Sequence, residues 1–167
     1  MKKMKQYTFE EINEGHLPEV LEIYNHYVLN STATFHTHAL SPDEMKRLVF
    51  FDSPRHKTFV INTDNSVCRY VLLAPHSQRE AYGKTAEVTI YLKPGYIGKG
   101  LGSMGIRYIE EFAKANDFHV LLAVICGENE KSIRLFERNG YKKCAHYREI
   151  GEKFGRFLDV VAYEKLL

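Results

Sequence analysis

Ala86-Glu87-Val88-Thr89-Ile90-Tyr91-Leu92, then Pro94-Gly95, then Gly98-Lys99-Gly100-Leu101-Gly102, and finally His119-Val120-Leu121-Leu122-Ala123-Val124-Ile125 read in order as strand, turn, helix and strand. The helix that follows the glycines carries Leu101, Met104, Tyr108, Ile109 and Phe112 on one side and ends near Asn116-Asp117. The closing run is continuously apolar and rich in β-branched residues, as expected of a strand buried on both faces. A strand, a helix and a second strand in that order make a parallel crossover unit. The stretch therefore predicts an α/β chain with at least one parallel pair.

Upstream of it, Tyr7-Thr8-Phe9 is a short strand candidate, and His16-Leu17-Pro18 leads into a helix with Leu17, Val20, Leu21, Tyr24 and Val28 at helical spacing. A second helix is announced by Ser41-Pro42-Asp43-Glu44, a capping serine, a proline at the first helical position and a glutamate three residues after the cap, followed by Met45, Leu48 and Val49. Between the two lies Asn30-Ser31-Thr32-Ala33-Thr34-Phe35, a polar loop with one large aromatic. Strand candidates at 58–61 and 67–73 are joined by a turn at Asp64-Asn65-Ser66, and with 86–92 they form an antiparallel meander. The polar loop before the third of these carries Arg79 and Tyr82. Downstream, a helix from Glu130 to Arg138 is stopped by Asn139-Gly140, and strands at 142–150 and 156–164 flank Gly151-Glu152-Lys153-Phe154-Gly155. The expected fold is a single α/β domain over residues 1–167. Its central sheet is mixed and mostly antiparallel, with one parallel crossover, and about four helices flank it.

Composition narrows the classes. A chain of 167 residues suits one domain, and 44% hydrophobic with 26% charged residues argues against disorder. The net charge is only +2 and the basic residues are spread along the chain, so no nucleic-acid partner is expected. No apolar run approaches the roughly 20 residues needed to cross a bilayer. After the basic start, Tyr7-Thr8-Phe9-Glu10-Glu11 stands where a signal peptide would be apolar, so a cytoplasmic location is expected. Cys68, Cys126 and Cys144 are odd in number and far apart, which fits reduced thiols. His36-Thr37-His38 has no third ligand in its pattern, so no metal is expected.

The glycine turn sits between a strand and a helix, where exposed backbone N–H groups and the positive helix end can receive a phosphate. Gly100-x-Gly102-x-x-Gly105, with Glu128 beyond the next strand, also satisfies a dinucleotide fingerprint. That reading is disfavoured, because Pro94-Gly95-Tyr96-Ile97 intervenes after the strand and only one crossover is present. A Walker-type loop fails for want of Gly-Lys-Ser/Thr.

Ile97-Gly98-Lys99-Gly100-Leu101-Gly102 resembles the acetyl-CoA pyrophosphate loop of the GNAT superfamily, Gln/Arg-x-x-Gly-x-Gly/Ala, with Ile97 where Gln or Arg is usual. The run from Asn129 through Ser132, Leu135 and Phe136 to Gly140-Tyr141 resembles the second motif of that superfamily. A closer resemblance, to phosphinothricin-type acetyltransferases, covers most of the chain. It rests on Tyr24-Asn25-His26-Tyr27 with Ser31-Thr32 and Phe35, on Arg79-x-Ala81-Tyr82-x-x-Thr85-Ala86-Glu87, and on Gly151-x-Lys153-x-Gly155-x-x-x-Asp159-Val160. His76 and Ser77 depart from it, standing where Trp and Lys are usual.

The resemblance implies an acetyl-CoA-dependent N-acetyltransferase acting on the primary amine of a small anionic acceptor of the phosphinothricin or methionine sulfoximine/sulfone class, in a homodimer. It implies Glu87 as general base and Phe35, Arg79 and Tyr82 as the acceptor pocket. Acetyl-CoA falls to Ile90, Tyr91 and Leu92, to Ile97, Gly98, Lys99, Gly100, Leu101, Gly102 and Ser103, and to Asn129 and Ser132. A backbone N–H of the 88–92 strand would polarise the thioester carbonyl. Phe136 occupies the place of the tyrosine that protonates the departing thiolate; a thiol of pKa about 8.5 can leave without it. The competing readings are a protein or peptide N-acetyltransferase and a non-catalytic acyl-CoA-binding module.

Overall fold

The computed structural model describes residues 6–63, 66–96 and 100–167. In chain order the elements are β1 (Thr8–Glu11), α1 (Leu17–Asn30), α2 (Pro42–Val49), β2 (Lys57–Thr63), β3 (Ser66–Pro75), β4 (Thr85–Leu92), α3 (Leu101–Ala115), β5 (Val120–Cys126), α4 (Glu130–Arg138), β6 (Lys142–Lys153) and β7 (Arg156–Leu166). They form a seven-stranded sheet in the order β1-β2-β3-β4-β5-β7-β6. Only β4 and β5 run parallel among its pairs. The expected mixed sheet and single crossover are both present; the turn at 64–65 lies outside the described residues.

Local chemistry sets the helix ends. At α2 the Ser41 side chain accepts from the Glu44 N–H while the Glu44 carboxylate accepts from the Ser41 N–H, the reciprocal capping box that the sequence spells. The α1 face buries Leu17, Val20, Ile23, Tyr24 and Val28, so Ile23 takes the central place expected of Leu21, which packs at the margin. In α2, Met45 and Val49 are buried, while Leu48 is exposed.

The largest correction concerns α3. Its buried residues are Leu101, Gly102, Gly105, Ile106, Ile109, Glu110 and Ala113, and Met104, Tyr108 and Phe112 lie on the flank. Tyr108 stacks on Phe9 and meets Phe59 edge-on. Small residues mark the contact face because they let the helix lie close. A Cβ on Gly105 would stand 2.9 Å from Ile90 Cδ1. An apolar-residue count overlooks glycine and so rotates the stripe.

Two cores result. Ile106 and Ile109 of α3 pack with Val71, Ala86, Val88 and Leu121 on one face of the sheet. Val20, Ile23 and Met45 pack with Val60 and Tyr70 on the other. Burying each Val, Ile or Leu contributes about 1.5–3 kcal/mol. Strand alternation then places Glu87, Thr89 and Tyr91 on the α1/α2 face. No helix among the described residues is long and apolar enough to cross a membrane.

The register of the parallel pair shapes everything that follows. β4 pairs with β5 only from Thr85–Glu87 to Val120–Leu122, and beyond that the two strands diverge. Val124, expected inside a doubly covered strand, is 52% exposed because it faces the resulting gap. At the far edge β6 reaches Lys153, so the turn to β7 shrinks to Phe154 and Gly155, both at positive φ as a two-residue hairpin turn requires.

Candidate active site

Where β4 and β5 part, a cavity of about 920 Å³ opens through the sheet. Its walls are Val88 to Leu92 of β4, Val124 to Cys126 of β5, the first turn of α3 and the inner face of α4. The backbone groups of β4 that would bond to β5 are left without a strand partner there. One of them, the Leu92 carbonyl, accepts from the Tyr27 hydroxyl at 2.5 Å. Burial pushes the Tyr27 phenol above its ordinary value, so it stays a donor at neutral pH.

The phosphate end is made by α3. Gly100 caps the helix in the left-handed conformation, φ 69°, and no side chain caps the first-turn N–H groups. A Cβ at Gly100 would meet nothing within 4 Å, so glycine is required there by its backbone angle and not by space. At Gly102 the reason is space: an added Cβ would stand 2.9 Å from Leu135 of α4. The Ser103 hydroxyl accepts from the Asn139 amide at 2.9 Å, which leaves its own proton to donate. No acidic side chain lies in this turn. Uncapped amides at the positive end of the helix fit a diphosphate. The expected contributions of Ile97, Gly98 and Lys99 fall outside the described residues.

Across the cavity, Asn129 accepts from the Ser132 N–H at 3.2 Å, so it is a helix cap as well as a wall residue. The same helix brings Lys131, Arg134 and Arg138 to the rim. Sequence reasoning missed this basic edge, although spacings of three and four on a helix were a usable sign. Phe136 is buried in the wall against Tyr141, ring centroids 4.9 Å apart, and offers a ring without a proton. Tyr91 turns its ring to Tyr24, Tyr27 and Tyr70, with centroids 5.3 to 5.4 Å away.

The Phe35 loop roofs the cavity and is held at four points. Lys153, almost fully buried, donates to the Ser31 and Thr34 carbonyls at 2.8 and 2.7 Å. Burial pushes its ammonium below the usual lysine range, and the described residues give it no ion-pair partner. Thr32 donates to Glu128 at 2.6 Å, and Arg156 grips the same carboxylate with two bonds of 2.6 and 2.7 Å. The Tyr24 hydroxyl meets Thr34 Oγ1 at 2.6 Å and His36 Nδ1 at 2.5 Å. Phe35 lies against Gly151, where any Cβ would collide with its ring. Lys153 and Gly151, which carried part of the resemblance, thus shape the roof. Asp159 anchors the bulge of β6 by accepting from the Glu149 N–H and meeting His146 Nε2.

The proposed base and two acceptor residues form a second group, just outside the cavity lining. Glu87 is about one-third exposed, opposite Ala74 of β3 and Leu122 of β5, and its Oε1 lies 2.8 Å from His76 Nδ1. The His76 ring meets Tyr82 edge-on at 5.3 Å. Arg79 begins the 3-10 turn Glu80–Tyr82 and is exposed. Glu87, Arg79 and Tyr82 do not line the cavity, but Thr89, two residues along the same face of β4, does. That offset is about 7 Å. Phe35 is the one expected acceptor residue that lines the cavity itself.

Glu128, the would-be ribose acid of a dinucleotide site, is occupied by Arg156 and Thr32. His38 pairs with Glu44 at 3.6 Å, and no group of three His, Cys, Asp or Glu suited to a metal occurs among the described residues.

Residues 20–141 match the Acetyltransferase (GNAT) family. The chain belongs to that family. It is 33% identical over 158 residues to a phosphinothricin N-acetyltransferase of Streptomyces coelicolor, covering 92% of each chain. To an L-methionine sulfoximine/L-methionine sulfone acetyltransferase of Pseudomonas aeruginosa it is 31% identical, over 86% of this chain and 85% of that one. Among solved structures, a GNAT superfamily phosphinothricin acetyltransferase of Sinorhizobium meliloti in complex with AcCoA superimposes with a TM-score of 0.91 at 28% identity, covering 96% of this chain and 88% of that one. The protein is thus an acetyl-CoA-dependent N-acetyltransferase. Acetyl-CoA supplies the acetyl thioester, and the uncapped α3 turn, the β4 edge and the basic rim of α4 are the surfaces of this chain suited to hold it.

Proposed function

We propose that this N-acetyltransferase acetylates the primary amine of a small anionic amino acid of the phosphinothricin or methionine sulfoximine/sulfone class, with Glu87 as base and Phe35, Arg79 and Tyr82 around the acceptor. The observation that carries the reading is the placement of Glu87 on the face of β4 that continues, through Thr89, into the cavity. An aliphatic amine of pKa about 10.4 is only about one part in 2,500 neutral at pH 7, so a carboxylate that takes the ammonium proton raises the reactive fraction where it is needed. The exposed Arg79 guanidinium, at the start of the turn that ends in Tyr82, has the fork geometry that suits a carboxylate or phosphinate. The diphosphate falls to the amides of residues 98–102 with Ser103 beside it, and Asn129, with Ser132, meets the pantetheine arm from across the cavity. A backbone N–H of the splayed β4 edge donates to the thioester carbonyl. Phe136 leaves the thiolate to depart unprotonated.

A homodimer belongs to the same reading. The edge strand β6 exposes Tyr147 and Ile150, and the adjoining turn and β7 expose Phe154 and Phe157, an apolar surface that a second copy would cover. A cytoplasmic setting, where thiols stay reduced, agrees with the three free cysteines.

The test is a panel of anionic amino acids and neutral amines assayed for CoA release with the parent and Arg79→Ala. The substitution is expected to raise the KM of anionic acceptors at least tenfold and to leave that of acetyl-CoA nearly unchanged. Equal loss for anionic and neutral amines would remove the anionic-acceptor reading.

A further inference from the structure

We propose that His76 is a positioning residue for Glu87, donating from Nδ1 to Oε1 and so leaving Oε2 free to receive the acceptor's proton; this rests on the reading of Glu87 as the base. A carboxylate only accepts hydrogen bonds, so the 2.8 Å contact assigns the proton to His76 Nδ1. In the neutral imidazole that leaves Nε2 as a bare acceptor, and the bond survives in either charge state of the ring.

The surroundings explain why such a partner is needed. Glu87 stands directly opposite Ala74, whose methyl group offers nothing to hold a carboxylate. His76 follows two residues later, on the same face, as the diagonal neighbour across the end of β3. It is the hydrogen-bond partner of the Glu87 carboxylate among the described residues. Both side chains are about one-third exposed, so the carboxylate would otherwise sample its rotamers freely. Tyr82 then fixes the imidazole by edge-on contact, and Tyr82 is itself set by its N–H bond to the Arg79 carbonyl at 3.0 Å. The acceptor loop is thereby coupled to the base through one ring. Histidine here, where the resemblance has tryptophan, makes the coupling a feature of this chain.

Three measurements test it together. In His76→Phe, which keeps a ring and removes the donor, kcat should fall about ten- to hundredfold, the loss of one charge-assisted hydrogen bond, with the KM of acetyl-CoA within twofold of the parent. His76→Asn carries an amide N–H near the place of Nδ1 and should recover most of that loss. Isotope-edited nitrogen NMR should find His76 protonated on Nδ1 in the parent, and Glu87→Gln should change its tautomer distribution. A His76→Phe enzyme with parental kcat, an Asn variant as slow as the Phe variant, or an Nε2-protonated tautomer in the parent would each overturn the proposal. The base reading fails separately. A Glu87→Gln enzyme with parental kcat removes both, whereas a slow Glu87→Gln beside a fast His76→Phe removes only the role of His76. In the double variant the His76 substitution should add nothing to the defect of Glu87→Gln.

Discussion

The cavity between β4 and β5 and the loop group beside it are built from different materials. The cavity relies on main chain: diverging strands, the uncapped turn of α3 and glycines required there by backbone angle or by close packing of the helix. The proposed acceptor group relies on side chains, Glu87 hydrogen-bonded to His76 and His76 in edge-on contact with Tyr82. Main-chain donors are indifferent to neighbouring side chains, so a departure such as Phe136 should leave the proposed cofactor surface intact. A site of side chains has no such tolerance, and His76 and Ser77 are the departures that should matter most for acceptor choice.

The sharpest way to break this contrast is Glu87→Gln, which keeps size and removes basicity. It should lower kcat about 10²- to 10⁴-fold near pH 7 while acetyl-CoA still binds. The defect should shrink as pH rises toward the pKa of the amine, because more acceptor then arrives deprotonated. A glutamate that only stabilised the strand would lose turnover, melting temperature and CoA affinity together, with no rescue by pH.

A main-chain site should instead fail when the backbone is forced. Gly100→Val places a β-branched residue at φ 69°, and the CoA dissociation constant measured by calorimetry should rise at least tenfold, about 1.4 kcal/mol. Unchanged affinity in a folded variant would mean that the α3 turn does not hold the diphosphate.

The smallest effect is expected at the roof. Arg156 and the Thr32 hydroxyl hold the Glu128 carboxyl down at about 2, from an ordinary 4.5. A depressed carboxylate contributes stability above its unfolded value, and that contribution is lost as pH falls from about 4.5 through about 2. Both side chains are about half exposed, so water screens most of it. Arg156→Met should therefore lower the melting temperature only slightly at pH 7 and not at all once the pH is well below about 2. It should raise the acceptor KM by less than about fivefold, since Lys153 and Tyr24 still hold the loop. A larger loss would show that the roof hangs on this pair.

Short-range patterns determined much of this protein from the sequence alone. The capping box at Ser41 and Glu44 and the stop at Gly140 depend on groups within a few residues of one another, and local chemistry decides those; the order of strands, turns and helix along the chain was enough to expect the meander of β2, β3 and β4 and the crossover through α3, though not their register. The resemblance carried by the glycine turn and the Asn129 helix pointed to acetyl-CoA for the same reason, since both motifs are continuous stretches of chain. Other features belong to the tertiary structure. The contact row of α3 is defined by Gly105 against Ile90, which depends on how near the sheet lies. Val124 faces solvent because β4 leaves β5 after three pairs. Lys153 reaches Ser31 and Thr34 across 122 and 119 residues, and His76 meets Glu87 only because β3 and β4 pair in one register. A strand shifted by one residue would send Glu87 to the opposite face, so the sheet's register, not the residue's identity, puts the carboxylate beside the cleft.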